Sequence, residues 1–125
     1  MSRIYLPATL DLLSQWYADR VVPGLADGYE ASEETEEDEY AALMAAAEES
    51  GALLAGPGRR VVVVVEAAST AESAPFAKVV AVHADLADRP VGADPAEDLG
   101  WFATQEVPDL IGRPGGRLRD QRSAR

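Results

Sequence analysis

The chain has 125 residues, 47% of them hydrophobic, and a formal net charge of −11. That length holds one domain with an ordinary core. It contains no cysteine, which excludes disulfides, thiolate nucleophiles, iron–sulfur clusters and cysteine-based zinc sites.

The charge is unevenly placed. Residues 1–112 carry 21 acidic and 6 basic side chains, a net −15, whereas residues 113–125 carry 5 Arg and 1 Asp, a net +4. An acidic body repels phosphate backbones and anionic membrane surfaces. The folded part is therefore expected to bind basic or neutral proteins, not nucleic acid or membrane. The start, MSRIYLPATL, lacks the apolar core of a signal peptide. The longest apolar valine run, Val61–Val65, is far too short to span a bilayer. A soluble, cytoplasmic protein is expected. Ten of its eleven basic residues are Arg, as codon usage in a GC-rich bacterial genome would give.

In chain order, residues 3–8 read as a strand: Ile4 and Leu6 alternate with Arg3 and Tyr5, and Pro7 ends it near an edge. Thr9 suits a helix cap, followed by Leu10, Leu13 and Tyr17 at helical spacing, with Leu12 and Trp16 beside them. Pro23-Gly24 stops that helix. Residues 28–32 allow a short second strand. The acidic run EETEEDE, residues 33–39, leads into a second helix. Thr35 and Asp38 make a capping-box-like start, and Tyr40, Leu43, Met44, Ala47, Gly51 and Leu54 form one stripe. Gly56 stops it.

Residues 59–67, RRVVVVVEA, read as a strand covered on both faces. Residues 76–86 form another: Phe76, Val80, Val82, Ala84 and Leu86 point one way, and Ala77, Val79, Ala81 and His83 the other. A short helix is expected over 94–99, opened by Pro95, and a last strand over 101–107. Residues 113–125 read as a disordered Arg-rich tail. The order β-α-β-α-β-β-(α)-β predicts an α+β domain over 1–112. It would hold a single mixed sheet of four to five strands packed by two main helices. The helical crossovers predict right-handed parallel pairings, and the short link between the strands at 59–67 and 76–86 predicts an antiparallel hairpin.

His83, the sole histidine, lies at a strand end two residues before Asp85. A histidine beside carboxylates (Asp88, Glu97 and Asp98 follow in the loop) binds a metal or moves protons. No G-x-S-x-G elbow accompanies it for a serine-hydrolase triad. Gly56-Pro57-Gly58 resembles a phosphate loop in composition only, since these glycines close a helix and open a strand, the reverse of the order such a loop needs. The acidic run lacks the calcium-loop spacing. The stretch DLGWFATQEVPDLIG, residues 98–112, offers Trp101 as an indole wall with Gln105 and Glu106 to orient a ligand, or else an ordinary closing strand. No catalytic residue or metal ligand is assigned, and no cofactor is expected. His83, Asp85, Trp101, Gln105 and Glu106 stand as the candidate ligand-binding set.

Five stretches together resemble a family of short, uncharacterised actinobacterial proteins: RIYLPATL, EDEYAALMAAAEES, RRVVVVVEA, AKVVAVHAD and LGWFATQEVPDLI, spanning residues 3–111. The resemblance implies a small cytoplasmic protein from a high-GC bacterium and brings no activity or functional residue with it. A non-enzymatic interaction or regulatory protein is the leading expectation, its acidic segment at 27–39 docking a partner by charge. The alternative is a small ligand- or metal-binding protein, or an enzyme, with a pocket near His83 and Trp101. A homodimer covering the Val61–Val65 strand or an open sheet edge is compatible with both.

Overall fold

A computed structural model describes residues 1–31 and 35–112; the Arg-rich tail, Ser32 of the expected second strand and the first two glutamates of the acidic run lie outside the described residues. Strand β1 (Ser2–Ala8) leads into helix α1 (Leu10–Asp19), where the Thr9 hydroxyl accepts from the Leu12 N–H at 3.1 Å. The helix ends at Arg20 in the left-handed region, φ 62°. Strands β2 (Val21–Val22) and β3 (Tyr29–Glu30) flank a 3-10 turn at Leu25–Asp27. Helix α2 (Glu36–Leu53) starts where the Thr35 hydroxyl accepts from the Asp38 N–H at 3.2 Å. Four acidic residues, Glu36 to Glu39, sit in its first turn, at the positive end of the dipole. Strands β4 (Val61–Ala67), β5 (Ala74–Pro75), β6 (Val79–Ala84) and β7 (Gly100–Phe102) follow. The described chain closes with a 3-10 turn at Thr104–Glu106 and helix α3 (Val107–Leu110).

The α+β architecture is the expected one: a five-stranded sheet, in the order β3-β1-β4-β6-β7, with two principal helices. A second, two-stranded sheet pairs β2 with β5. The β4–β6 pairing is the antiparallel hairpin expected, but the parallel pairings expected from the crossovers are absent, every described ladder being antiparallel. Strands β3 and β4 are both antiparallel to β1, so they run the same way, as the crossover through α2 demands. But β1 is inserted between them, and the two parallel strands never hydrogen-bond to each other. Pro7 lies inside β1 rather than at its end. The short β3 pairs only with Ile4 and Tyr5, so the far side of β1 is open at Pro7, where a missing N–H leaves no gap in a ladder.

The sheet buries both faces. On one, Ile4, Leu6, Val61, Val63, Val65 and Val82 pack against Leu13 and Trp16 of α1, with Val107 of α3. On the other, Tyr5, Val62, Val64 and Ala81 pack against Ala42, Ala46 and Ala47 of α2. The five valines are thus covered within the chain, and no second copy is needed over them; the edges of the sheet are β3 and β7. The buried residues of α2 are Ala42, Ala46, Ala47 and Ser50, and of the expected stripe only Ala47 is among them, with Leu43 partly buried against the same cluster. Small side chains let the helix lie close on the sheet. Tyr40 is left 50% exposed.

Three further expectations change. A register shift in the β4–β6 ladder places Val79 opposite Val65 and Ala81 opposite Val64, with Val80 as the extra residue. Val79 therefore joins Val82 and Ala84 in the first core, and Val80 packs with Ala81 on the α2 side. The expected last strand stops at Phe102. The Glu106 carboxylate accepts from the Ala103 N–H at 2.7 Å, folding the chain into the 3-10 turn, and Pro108 fits the first turn of α3. Residues 94–99 form turns instead of a helix. There the Asp94 side chain takes the Ala96 N–H at 2.9 Å, a local bond that competes with helix formation.

Candidate binding groove

Helix α2 packs on β1, β3 and β4. The same face of β6 and β7 is less covered, and a groove of about 480 Å³ opens there. Its floor is Tyr5, Val64, Ala81 and His83. Glu36, Glu39, Tyr40 and Leu43 of α2 line one side, with Trp101 and Arg3 completing the lining. Strand register explains the floor: Tyr5 opposes Val64, Val64 opposes Ala81, and His83 opposes Trp101. Trp101 stands on an edge strand and is 61% exposed.

Among the described residues the His83 imidazole makes no hydrogen bond or ion pair. Burial alone pushes its pKa below the ordinary histidine value, so it is neutral at pH 7. Burial also raises the Tyr5 phenol, and the Glu39 charge adds to this against the opposing pull of Arg3. The Tyr40 hydroxyl donates to Asp98 Oδ1 at 3.0 Å, which raises that phenol too. Arg3 stands in the same lining, where it also bonds the Tyr5 phenol, and its Nε lies 3.4 Å from Glu66 Oε2 on the neighbouring strand. Neither Glu36 nor Glu39 has a salt-bridge partner among the described residues. The groove therefore combines exposed aromatic surface, the carboxylates of Glu36 and Glu39, one guanidinium, that of Arg3, and an unprotonated imidazole.

The structure brings together two of the five residues singled out from sequence, His83 and Trp101, as a cross-strand pair. Asp85 does not join them. It leaves the end of β6 toward Arg60, its Oδ2 accepting from the Arg60 backbone N–H at 2.8 Å and from Nε at 3.0 Å, its Oδ1 from Nη2 at 2.8 Å. Both side chains are buried, Arg60 at 2% and Asp85 at 6% exposure. Arg60 also donates to the carbonyls of Pro95 and Glu97 at 3.0 and 2.9 Å, tying down the segment that leads into β7. Gln105 is exposed in the 3-10 turn, and Glu106 is occupied as its cap. Tyr40, Glu36 and Glu39 were not legible as groove residues, because the helical stripe through Tyr40 reads as core.

Among the described residues, no three His, Asp or Glu side chains gather where they would hold a metal ion, and no helix is long and apolar enough to cross a membrane. Gly56-Pro57-Gly58 forms the turn from α2 into β4, with Gly58 bridged to Arg89. No curated protein and no solved structure matches the chain. The sequence model of a family of unknown function, DUF6912, matches residues 2–111, and the chain belongs to that family.

Proposed function

We propose that the protein is a non-enzymatic interaction protein whose working surface is this groove, and that it takes a basic segment of a partner protein. The observation that carries the reading is the meeting of exposed Trp101 and Tyr40 with the carboxylates of Glu36 and Glu39, which have no salt-bridge partner among the described residues, along one groove. A guanidinium or ammonium group is attracted to an indole face and to carboxylates alike. The net charge of −15 over residues 1–112 draws such a partner from a distance.

The test is fluorescence anisotropy with a labelled oligo-arginine peptide. Affinity falls as salt rises, because the attraction is screened. Trp101→Ala weakens binding by about tenfold, equivalent to ~1.4 kcal/mol and within the range of a partly desolvated cation–π contact. Trp16 is buried, at 7% exposure, so quenching of the remaining indole reports on the groove. Affinity that stays flat with salt, or that survives Trp101→Ala unchanged, refutes the reading.

The His83 imidazole, without a hydrogen-bond partner among the described residues, favours a second reading, in which the groove takes a small ligand and His83 contacts it. Native mass spectrometry of protein purified gently without chelator separates the two. An added mass that disappears on denaturation supports the small ligand; a bare polypeptide mass supports the interaction protein.

A further inference from the structure

We infer that the groove's resident occupant, in the absence of a partner, is the chain's own segment 113–125, RPGGRLRDQRSAR. This rests on the reading of the groove as a seat for basic segments. The first argument is charge. The segment carries 5 Arg and 1 Asp, and the groove offers Glu36 and Glu39 with Trp101 beside them. The arginines, at 113, 117, 119, 122 and 125, are spread along the segment, so more than one register brings a guanidinium to the indole.

The second argument is reach. The described chain leaves at Gly112, only eleven residues after Trp101. Leu110 and Ile111 pack on the opposite face of the sheet from the groove, and the edge between the two faces on that side is β7, which no other described strand of the sheet covers. Thirteen extended residues span about 45 Å, against a radius of gyration of about 13 Å for a domain of this size.

The third argument is tethering. A segment joined to its site by a short connection is present at an effective concentration of about 1 mM. With an intrinsic Kd of ~100 µM it would hold the groove most of the time and weaken any external basic peptide by about tenfold. A true partner must therefore outcompete the segment, and a weak basic peptide does not.

The probe is a labelled peptide with the sequence of residues 113–125, offered to the full chain and to its R117Q/R119Q/R122Q variant. The variant leaves the groove and every described element untouched. It is expected to bind the peptide about tenfold more tightly at low salt, the gap closing towards 1 M salt, where the screening length is about 3 Å. A second readout is the Trp101 indole N–H resonance, assigned with Trp101→Phe and referenced to buried Trp16; it is expected to differ between the two chains at low salt. Equal affinity, or a Trp101 resonance that does not move, overturns self-occupation while leaving the groove reading intact. A resonance shift that appears only as protein concentration rises overturns occupation within one chain. Absence of peptide binding to either chain overturns both readings.

Discussion

Replacing Asp85 by alanine should be among the most damaging single changes in this chain. The carboxylate accepts three hydrogen bonds from Arg60, two of them from the guanidinium, and Arg60 is almost fully buried. Removing it leaves a cation inside the protein with only the carbonyls of Pro95 and Glu97 as acceptors. An uncompensated buried charge of this kind costs about 3–5 kcal/mol, a large part of a total stability of about 5–15 kcal/mol. Asp85→Asn keeps the shape and one acceptor but loses the charge, and should cost about 1.5–3 kcal/mol. The double change Arg60→Met with Asp85→Leu removes both charges. It should recover most of the alanine variant's loss, because a buried pair repays little beyond its own desolvation.

Urea denaturation measures all three, read as midpoint shifts at constant slope. A loss below about 1 kcal/mol for Asp85→Ala, which would place the pair among weak surface bridges, refutes the argument. The pH dependence is a second check. Burial by itself would raise the Asp85 carboxyl, but the hydrogen bonds and charge of Arg60, helped by Arg89, outweigh it and hold the pKa below the usual aspartate value. A carboxyl depressed in the folded state contributes stability that is complete above its unfolded pKa of about 4 and is lost as pH falls through the lower folded value. Asp85→Asn should flatten stability in that acidic window and leave its slope above about pH 5 unchanged.

Two further changes test other parts of the structure. Ser50 is fully buried, its hydroxyl donating to the Ala8 carbonyl at 2.6 Å and accepting from the Val61 N–H at 2.8 Å, so it latches α2 to the end of β1 and the start of β4. Ser50→Ala leaves both backbone groups unpaired and should cost about 1–3 kcal/mol by denaturation; a neutral result would mean that neither bond forms. His83 should titrate below the ordinary histidine value of about 6.5 by NMR. Because its folded pKa is lowered, its contribution to stability is complete above about pH 6.5 and is lost as pH falls through the folded value. His83→Gln should remove that slope, and a midpoint above 6.5 would contradict burial as the governing influence.

The sequence patterns that proved legible are those whose physics is local. The Thr9 and Thr35 caps, the five-valine strand and the helix stop at Gly56-Pro57-Gly58 all depend on residues within a few positions of one another. What was not legible depends on distant partners. Periodicity marks which residues of α2 share a face but not which face meets the sheet, and the small-residue face won because it permits close approach. Strand order was equally hidden, since a crossover fixes the relative direction of β3 and β4 but not that β1 enters between them. The Val80 bulge moved Val79 to the opposite face from the one alternation assigns. For the groove, His83 and Trp101 were visible as unusual residues. Their meeting follows from the β6–β7 register, and the involvement of Tyr40, Glu36 and Glu39 from the packing of α2 on β1, β3 and β4 beside the less covered β6 and β7.

The part of the groove with the least intrinsic support is its outer wall. Strand β7 has three residues and one neighbour, and a strand so short at a sheet edge is marginal on its own. Polar anchors flank it on both sides. Upstream, Arg60 holds the Pro95 and Glu97 carbonyls, and Tyr40 holds Asp98. Downstream, Glu106 caps the Ala103 N–H, and the Thr104 hydroxyl donates to the Val79 carbonyl at 2.9 Å. Indole burial does not position Trp101, because most of its surface faces solvent. The anchors instead fix the backbone on either side and leave the ring presented. One of them, Tyr40, itself lines the groove, so its bond to Asp98 is the anchor that an occupant of the groove meets directly.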